Sequence, residues 1–281
     1  MGLSRLYYHG WQSVFMGSRL ARYRDLLRHL TETGYSFWKL SEFAEAVDRG
    51  ESFDSPVCLL RNDIDSDPGG AALMFACDRA AGVRATYFFR LSTLDAGLAQ
   101  QIAAGGGEVG YHFEEIATAA KRLGLRSRRQ IEVHIERIRE DFRSNVHRFG
   151  AVMGTNPRVV AAHGDFVNRR IGIPNHYLLD RKLMDELGIV ADAYDARVHG
   201  NLQARFSDWP APRWWNPADP VAALQNRPAT ISILVHPRQW TCNPVLNLRL
   251  DARRLCEEAS WRWRSTRMAR QNVPPVPSSV S

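Results

Sequence analysis

The chain has 281 residues, 44% of them hydrophobic, and a mean hydropathy of −0.34, which describes a soluble globular protein with material for a sizeable core. Its formal charge of +7 comes almost wholly from arginines spread along the sequence, so no nucleic-acid partner is expected. Four cysteines without CxxC spacing exclude a disulfide framework or zinc knuckle, and no segment nears the ~18 apolar residues of a membrane span; a cytoplasmic location follows.

Residues 18–34 set Leu20, Tyr23, Leu26, Leu27 and Leu30 at helical spacing, and 39–50 forms a second helix. Short strands and helices then alternate. Strands are predicted at 57–60, 84–89, 107–111, 158–162, 189–193 and 230–235. Helices are predicted at 69–81, 94–104, 128–149, 177–187 and 251–263. Within 128–149, Ile131, Ile135, Ile138 and Phe142 form a core stripe, so His134 reads as structural. The adjoining "KRLGLRSRR" (121–129) reads as a solvated face. Strands apolar on both sides and separated by helices predict a buried parallel sheet, hence an α/β fold. One domain is expected over 1–265, followed by a disordered Pro/Ser-rich tail at 266–281. The segment 200–220 holds Trp209, Trp214 and Trp215 among prolines, as either a loop packed on itself or a sugar-stacking wall.

Acids and imidazoles follow the apolar runs. Run 57–60 leads into Asp63, Asp65 and Asp67 in "LLRNDIDSDP", and 107–111 into His112, Glu114 and Glu115. Run 158–162 leads into His163 and Asp165, 189–193 into Asp195, and 230–235 into His236. In a parallel α/β sheet these strand ends share one face, where active sites are built. Asp63 and Asp65, two apart, project the same way from an extended backbone. Two adjacent carboxylates ionise together only beside a cation, so one can bind a metal while the other moves a proton. A mixed Asp/His/Glu shell suits a divalent transition metal, zinc foremost, with manganese, iron, cobalt or nickel as alternatives. Metal-assisted hydrolysis is the chemistry such a site supports.

The pieces "LLRNDIDSDP", "GVRATYFFRLS", "GGGEVGYHFEE", "VVAAHGDF" and "ISILVHPRQW" resemble the NodB-type polysaccharide deacetylases, carbohydrate esterase family 4, in a divergent branch. The likeness covers about residues 20–245. It implies a distorted (β/α) barrel of about seven strands and removal of an N-acetyl or other acyl group from an amino sugar. By position, it implies Asp63 as general base, Asp65 and His112 as metal ligands, and His236 as general acid. Arg61, His163 and Trp240 are then expected to contact a small-molecule or oligosaccharide amino-sugar substrate. Two positions depart from the family pattern: Asn62 replaces a histidine, and Ile116 stands where the second metal histidine belongs. Glu114 is favoured to complete the shell, with Glu115 and His163 as alternatives. The rival readings are a metal-free sugar-binding pseudo-enzyme and a hydrolase of another C–N bond. Asp195 and His199 in "YDARVHG" are secondary candidates for the cleft.

Overall fold

The eight-residue strand Val57–Ile64 is buried at every position, and it lies mid-sheet because both of its faces meet apolar neighbours. The computed structural model describes residues 15–53 and 55–271, with side chains only as far as Trp263. Among them the strands are β1 (Ser36–Phe37), β2 (Val57–Ile64), β3 (Thr86–Phe89), β4 (Glu108–Phe113), β5 (Val159–Ala162), β6 (Ala191–Asp192), β7 (Ala204–Asp208), β8 (Trp215–Asn216) and β9 (Thr230–Val235). They form one sheet in the order β6-β5-β4-β3-β2-β9-β7-β8, with β1 also paired to β2. Every pairing is parallel except β7 with β8. The sheet curls into a half-barrel with β6 and β8 at its ends, the α/β distorted barrel that the sequence predicts.

The helices are α1 (Leu20–Glu32), α2 (Leu40–Asp48), α3 (Pro68–Ala80), α4 (Ala96–Ala104), α5 (Glu115–Leu123) and α6 (Arg128–Val133). They continue as α7 (Ile135–Met153), α8 (Phe166–Ile171), α9 (Arg181–Leu187), α10 (Ala196–Gly200), α11 (Pro220–Ala223) and α12 (Pro244–Gln271). The single helix expected over 128–149 is broken at His134, whose Nδ1 lies 2.9 Å from the Gln130 carbonyl. Helix α12 runs six residues past the expected domain end, so the predicted tail begins as helix; 272–281 lie outside the described residues. None of the helices among the described residues is long and apolar enough to cross a membrane.

Successive strand residues face opposite ways. Val57 and Leu59 therefore point into the curl, where they pack with Leu40, Phe43 and Ala44 of α2 and with Phe88, Val159 and Ala161. Cys58, Leu60 and Ile64 point outward into the larger core with Leu27, Met74, Ile102, Ile116 and Phe142. Parity carries Arg61 and Asp63 onto the inner face with Val57 and Leu59. His112, paired with Ala161, lies on the same face. Gly110 is fixed by that packing: a Cβ there would stand 2.5 Å from the Phe88 ring and 2.7 Å from the Val159 carbonyl.

On the outer face Asp78 is almost wholly buried and accepts from the Tyr23 hydroxyl at 2.6 Å and from the Tyr87 hydroxyl. Burial raises its pKa to about 7, against the opposing effect of the two phenols. An unfolded aspartate releases its proton near pH ~3.9, so between about pH 4 and 7 the native state holds more protons than the unfolded one. Stability contributed by this group is therefore full at acid pH, falls as pH rises through that window, and is flat above it. Asp78→Asn, which keeps a neutral side chain throughout, should flatten thermal unfolding temperature against pH between about 4 and 7. Parallel wild-type and variant curves would contradict the assignment.

Candidate active site

The inner-face rows end in polar residues at the C-terminal edge of the sheet. Asp65 sits one residue past β2, His112 near the end of β4, and His163 one residue past β5. Asp65 Oδ1 lies 3.0 Å from His112 Nε2 and 3.6 Å from His163 Nε2. The two imidazole rings meet edge to face, with centroids 5.2 Å apart. One donor atom from each of the three residues lies within 4.8 Å of the others.

The donor set fits a divalent transition metal. His112 directs Nδ1 at the Ala161 carbonyl, 2.9 Å away, and Nε2 at Asp65. A neutral imidazole carries one ring proton and cannot satisfy acceptors on both sides. A cation between Nε2 and Asp65 resolves that conflict, and the Nδ1–H bond to a backbone carbonyl is the usual device for orienting a ligating histidine. Burial alone would raise the Asp65 carboxyl, but the His163, His112 and His236 side chains together hold it far below the usual range. Asp65, His112 and His163 are thus the residues that would hold the ion.

Two further groups flank the three. Asp63, 2% exposed, takes the Arg61 fork through Nε at 2.7 Å and Nη2 at 2.6 Å, and its Oδ2 lies 3.4 Å from His112 Nε2. Burial would raise its pKa, but the Arg61 and His112 charges override that and keep it ionised. His236 follows β9; its Nε2 is 4.0 Å from Asp65 Oδ2, while Nδ1 donates to Asp208 Oδ1 at 2.6 Å. Asp208 Oδ2 accepts from the His236 backbone N–H at 2.7 Å and from Trp240 Nε1 at 2.9 Å. Burial would lower the His236 pKa, yet Asp208, Asp65 and Asp63 raise it to about 10, which favours the imidazolium.

Several of the expected site residues have further partners in the structure. Glu114 was the favoured third ligand, but β4 ends at Phe113 and the chain turns into α5 there. Its carboxylate is instead gripped by Arg90 Nη2 at 2.6 and 2.7 Å, and Arg90 Nη1 also reaches the Asp65 carbonyl at 3.0 Å. Burial would raise the Glu114 pKa, but His163 and Arg90 pull it down to about 2. His163, the alternative, stands with Asp65 and His112 in one group of donors, and Glu114 stands with His163 and Asp165 in another. Arg61, expected on the substrate, directs Nε and Nη2 at Asp63, and Nη2 also reaches the Tyr194 hydroxyl at 3.2 Å. Trp240, also assigned to substrate, is 1% exposed and packs behind Asp208 against Tyr23 and Trp215.

Ile116 is fully buried in α5 within the outer core, so position 116 points away from the donors. Ile116→His should lower stability by about 2–5 kcal/mol, through lost packing and an unpaired polar group, and add no metal affinity. Thermal melts beside a zinc titration check both halves; tighter zinc binding would contradict the placement.

Other candidates are structural. Asp67 caps α3, accepting from Gly70 N at 2.9 Å and from Thr241 Oγ1 at 2.9 Å. Asp195 caps α10 and binds Arg197, while His199 bonds the Ala193 carbonyl at 3.0 Å and Arg205. Trp215 is buried, and the Arg19 guanidinium covers Trp214 at 3.9 Å, so both belong to a loop packed on itself. The basic run 121–129 is tied down locally through Lys121 with Asp165, Arg122 with Asp141 and Arg128 with Glu132. Asp208 and Arg90 escaped the sequence reading. Asp208 ends β7, whose "ARFSD" carries too few apolar residues to announce a strand, and Arg90 is one arginine among many.

The sequence matches no known protein family and none of the curated proteins. Among solved structures, the chain is similar to the Streptococcus pyogenes deacetylase PplD in complex with acetate. The two are 11% identical over 76% of this chain and 81% of that one, with a TM-score of 0.42.

Proposed function

We propose that the protein is a metal-dependent hydrolase that removes an acyl group, N-acetyl in the first instance, from an amino sugar or a sugar-containing biosynthetic intermediate. The observation that carries the reading is the cluster of three donors, Asp65, His112 and His163, with the Asp63 carboxylate 3.4 Å from His112 Nε2 and His236 Nε2 4.0 Å from Asp65. The sequence motifs that resemble the NodB-type deacetylases fall on the same positions. A bound transition metal, zinc foremost, supplies Lewis-acid polarisation of the amide carbonyl and acidifies water.

The residues do the rest. Asp63 takes the proton of the attacking water, with Arg61 fixing its orientation and favouring its ionised form before the reaction. A carboxylate so favoured is a weak base, so it relies on a water already made acidic. As the C–N bond breaks, His236 Nε2–H gives its proton to the departing nitrogen. Asp208 holds the opposite ring nitrogen and keeps that proton aimed into the site. The pseudo-enzyme reading rests on Ile116 and Asn62; with His163 as a third donor, Ile116 no longer argues for a broken shell. The reading includes the cytoplasm as the site of action, which cell fractionation checks.

The test is acyl release from N-acetylated amino sugars, free, nucleotide-linked and polymeric, by protein stripped with a chelator and then reloaded with zinc. Activity should vanish on stripping, return on reloading, and fall about 10²–10⁴-fold in Asp63→Asn. Full activity in the stripped protein or in Asp63→Asn would refute the assignment.

A further inference from the structure

His163 belongs to two places. Its Nε2 faces Asp65, and its ring also lines a cavity of about 390 Å³ between β5, α8, the turn at Asn175–Leu178 and Tyr194. Three polar side chains in that wall, Asn168, Asn175 and Asp165, are committed to the wall and its supports. Asn175 Nδ2 donates to the His163 carbonyl at 2.6 Å and to Asn168 Oδ1 at 3.1 Å, while its Oδ1 accepts from Ala117 N at 3.0 Å. Asn168 Nδ2 donates to the Ile173 carbonyl at 2.9 Å, and Asp165 takes Val167 N at 2.8 Å and Lys121 Nζ at 2.6 Å. A guest therefore meets mainly carbon: Ala162, Ile173, Pro174 and Tyr194, whose ring stacks on His176 at 5.7 Å. Such a surface offers a sugar ring few hydrogen bonds, but it suits an aliphatic chain.

Position in the sheet says which end of the substrate reaches it. The order β6-β5-β4-β3-β2-β9 places His236, after β9, on one side of the donors, and the cavity, beyond β5 toward β6, on the other. If the departing nitrogen faces His236, the substituent on the carbonyl carbon is directed away from it. We propose that this cavity receives the acyl chain of the scissile amide, and that the preferred acyl group is a linear aliphatic chain longer than acetyl. A methyl group fills about as much space as one water, ~30 Å³, so acetyl would leave most of the cavity empty. This rests on the N-deacylase reading above.

The test separates the two claims by measuring binding and turnover independently. Acetate, butanoate, hexanoate and octanoate are titrated calorimetrically onto the zinc-reloaded full chain, and the matching N-acyl glucosamines are assayed for hydrolysis. Affinity should rise about fourfold per added methylene up to hexanoate, with kcat/KM rising in step. Gly164→Phe should abolish that dependence. Gly164 lines the cavity, and a Cβ there meets nothing within 4 Å, so the backbone admits the larger residue. Affinity and kcat/KM that stay flat or fall with chain length in the wild type would overturn the acyl cavity; N-acetyl hydrolysis would then leave the deacylase reading standing. Chain-length-dependent binding without hydrolysis of any N-acyl sugar would support the cavity and overturn the deacylase reading.

Discussion

His163→Ala should lower zinc affinity by more than about 10²-fold, whereas Glu114→Gln, which removes only a partner of that ring, should lower it by about 10–100-fold. His163 Nε2 is within reach of Asp65 Oδ1 and perpendicular to His112, so its removal leaves one imidazole and one carboxylate. Two such donors hold a transition metal weakly. Glu114 is occupied by Arg90, and its Oε2 stands 3.5 Å from His163 Nδ1, where it can orient the ring but not replace it. Zinc titration against a chromophoric chelator gives both affinities, with melting curves to show that the variants are folded. Retention of zinc by His163→Ala and its loss from Glu114→Gln would restore the shell expected from sequence.

His236→Ala should reduce kcat by about 10²–10⁴-fold with metal content unchanged, because a leaving amine needs a proton and His112 and His163 are taken up among the donors. Asp208→Asn should give a smaller fall. The neutral amide can still accept from His236 Nδ1–H, but it no longer stabilises the imidazolium or returns two strong charge-assisted bonds to the backbone N–H and Trp240. Turnover and metal content measured on the same samples distinguish these roles from loss of the site. If His236→Ala kept full activity, the general acid would lie elsewhere.

The barrel was legible because its strands are apolar on both faces and each ends in a polar residue. The side-chain parity of a strand then fixed which acids meet: Asp63 and Asp65 share an inner face in sequence as they do in space. The third member of the Asp65–His112 donor group was not legible. Choosing Glu114 assumed that β4 continues past Phe113, but the chain turns there into α5, and Arg90, 24 positions earlier, captures the carboxylate. His163 reaches the donors through pairing of β4 with β5, a contact across 51 positions that no local spacing encodes. Asp208 was hidden for a related reason: its strand is short and half-polar, and its role comes from lying beside β9. Trp240 misled in the other direction, since its motif position invited a substrate role while its indole lies behind the acid it bonds.

The most direct measurement is anomalous scattering from a crystal grown with zinc. The account predicts one strong peak about 2.0–2.2 Å from Asp65, His112 Nε2 and His163 Nε2. A crystal with no such peak, or with the peak at Glu114, His163 and Asp165 instead, would contradict it.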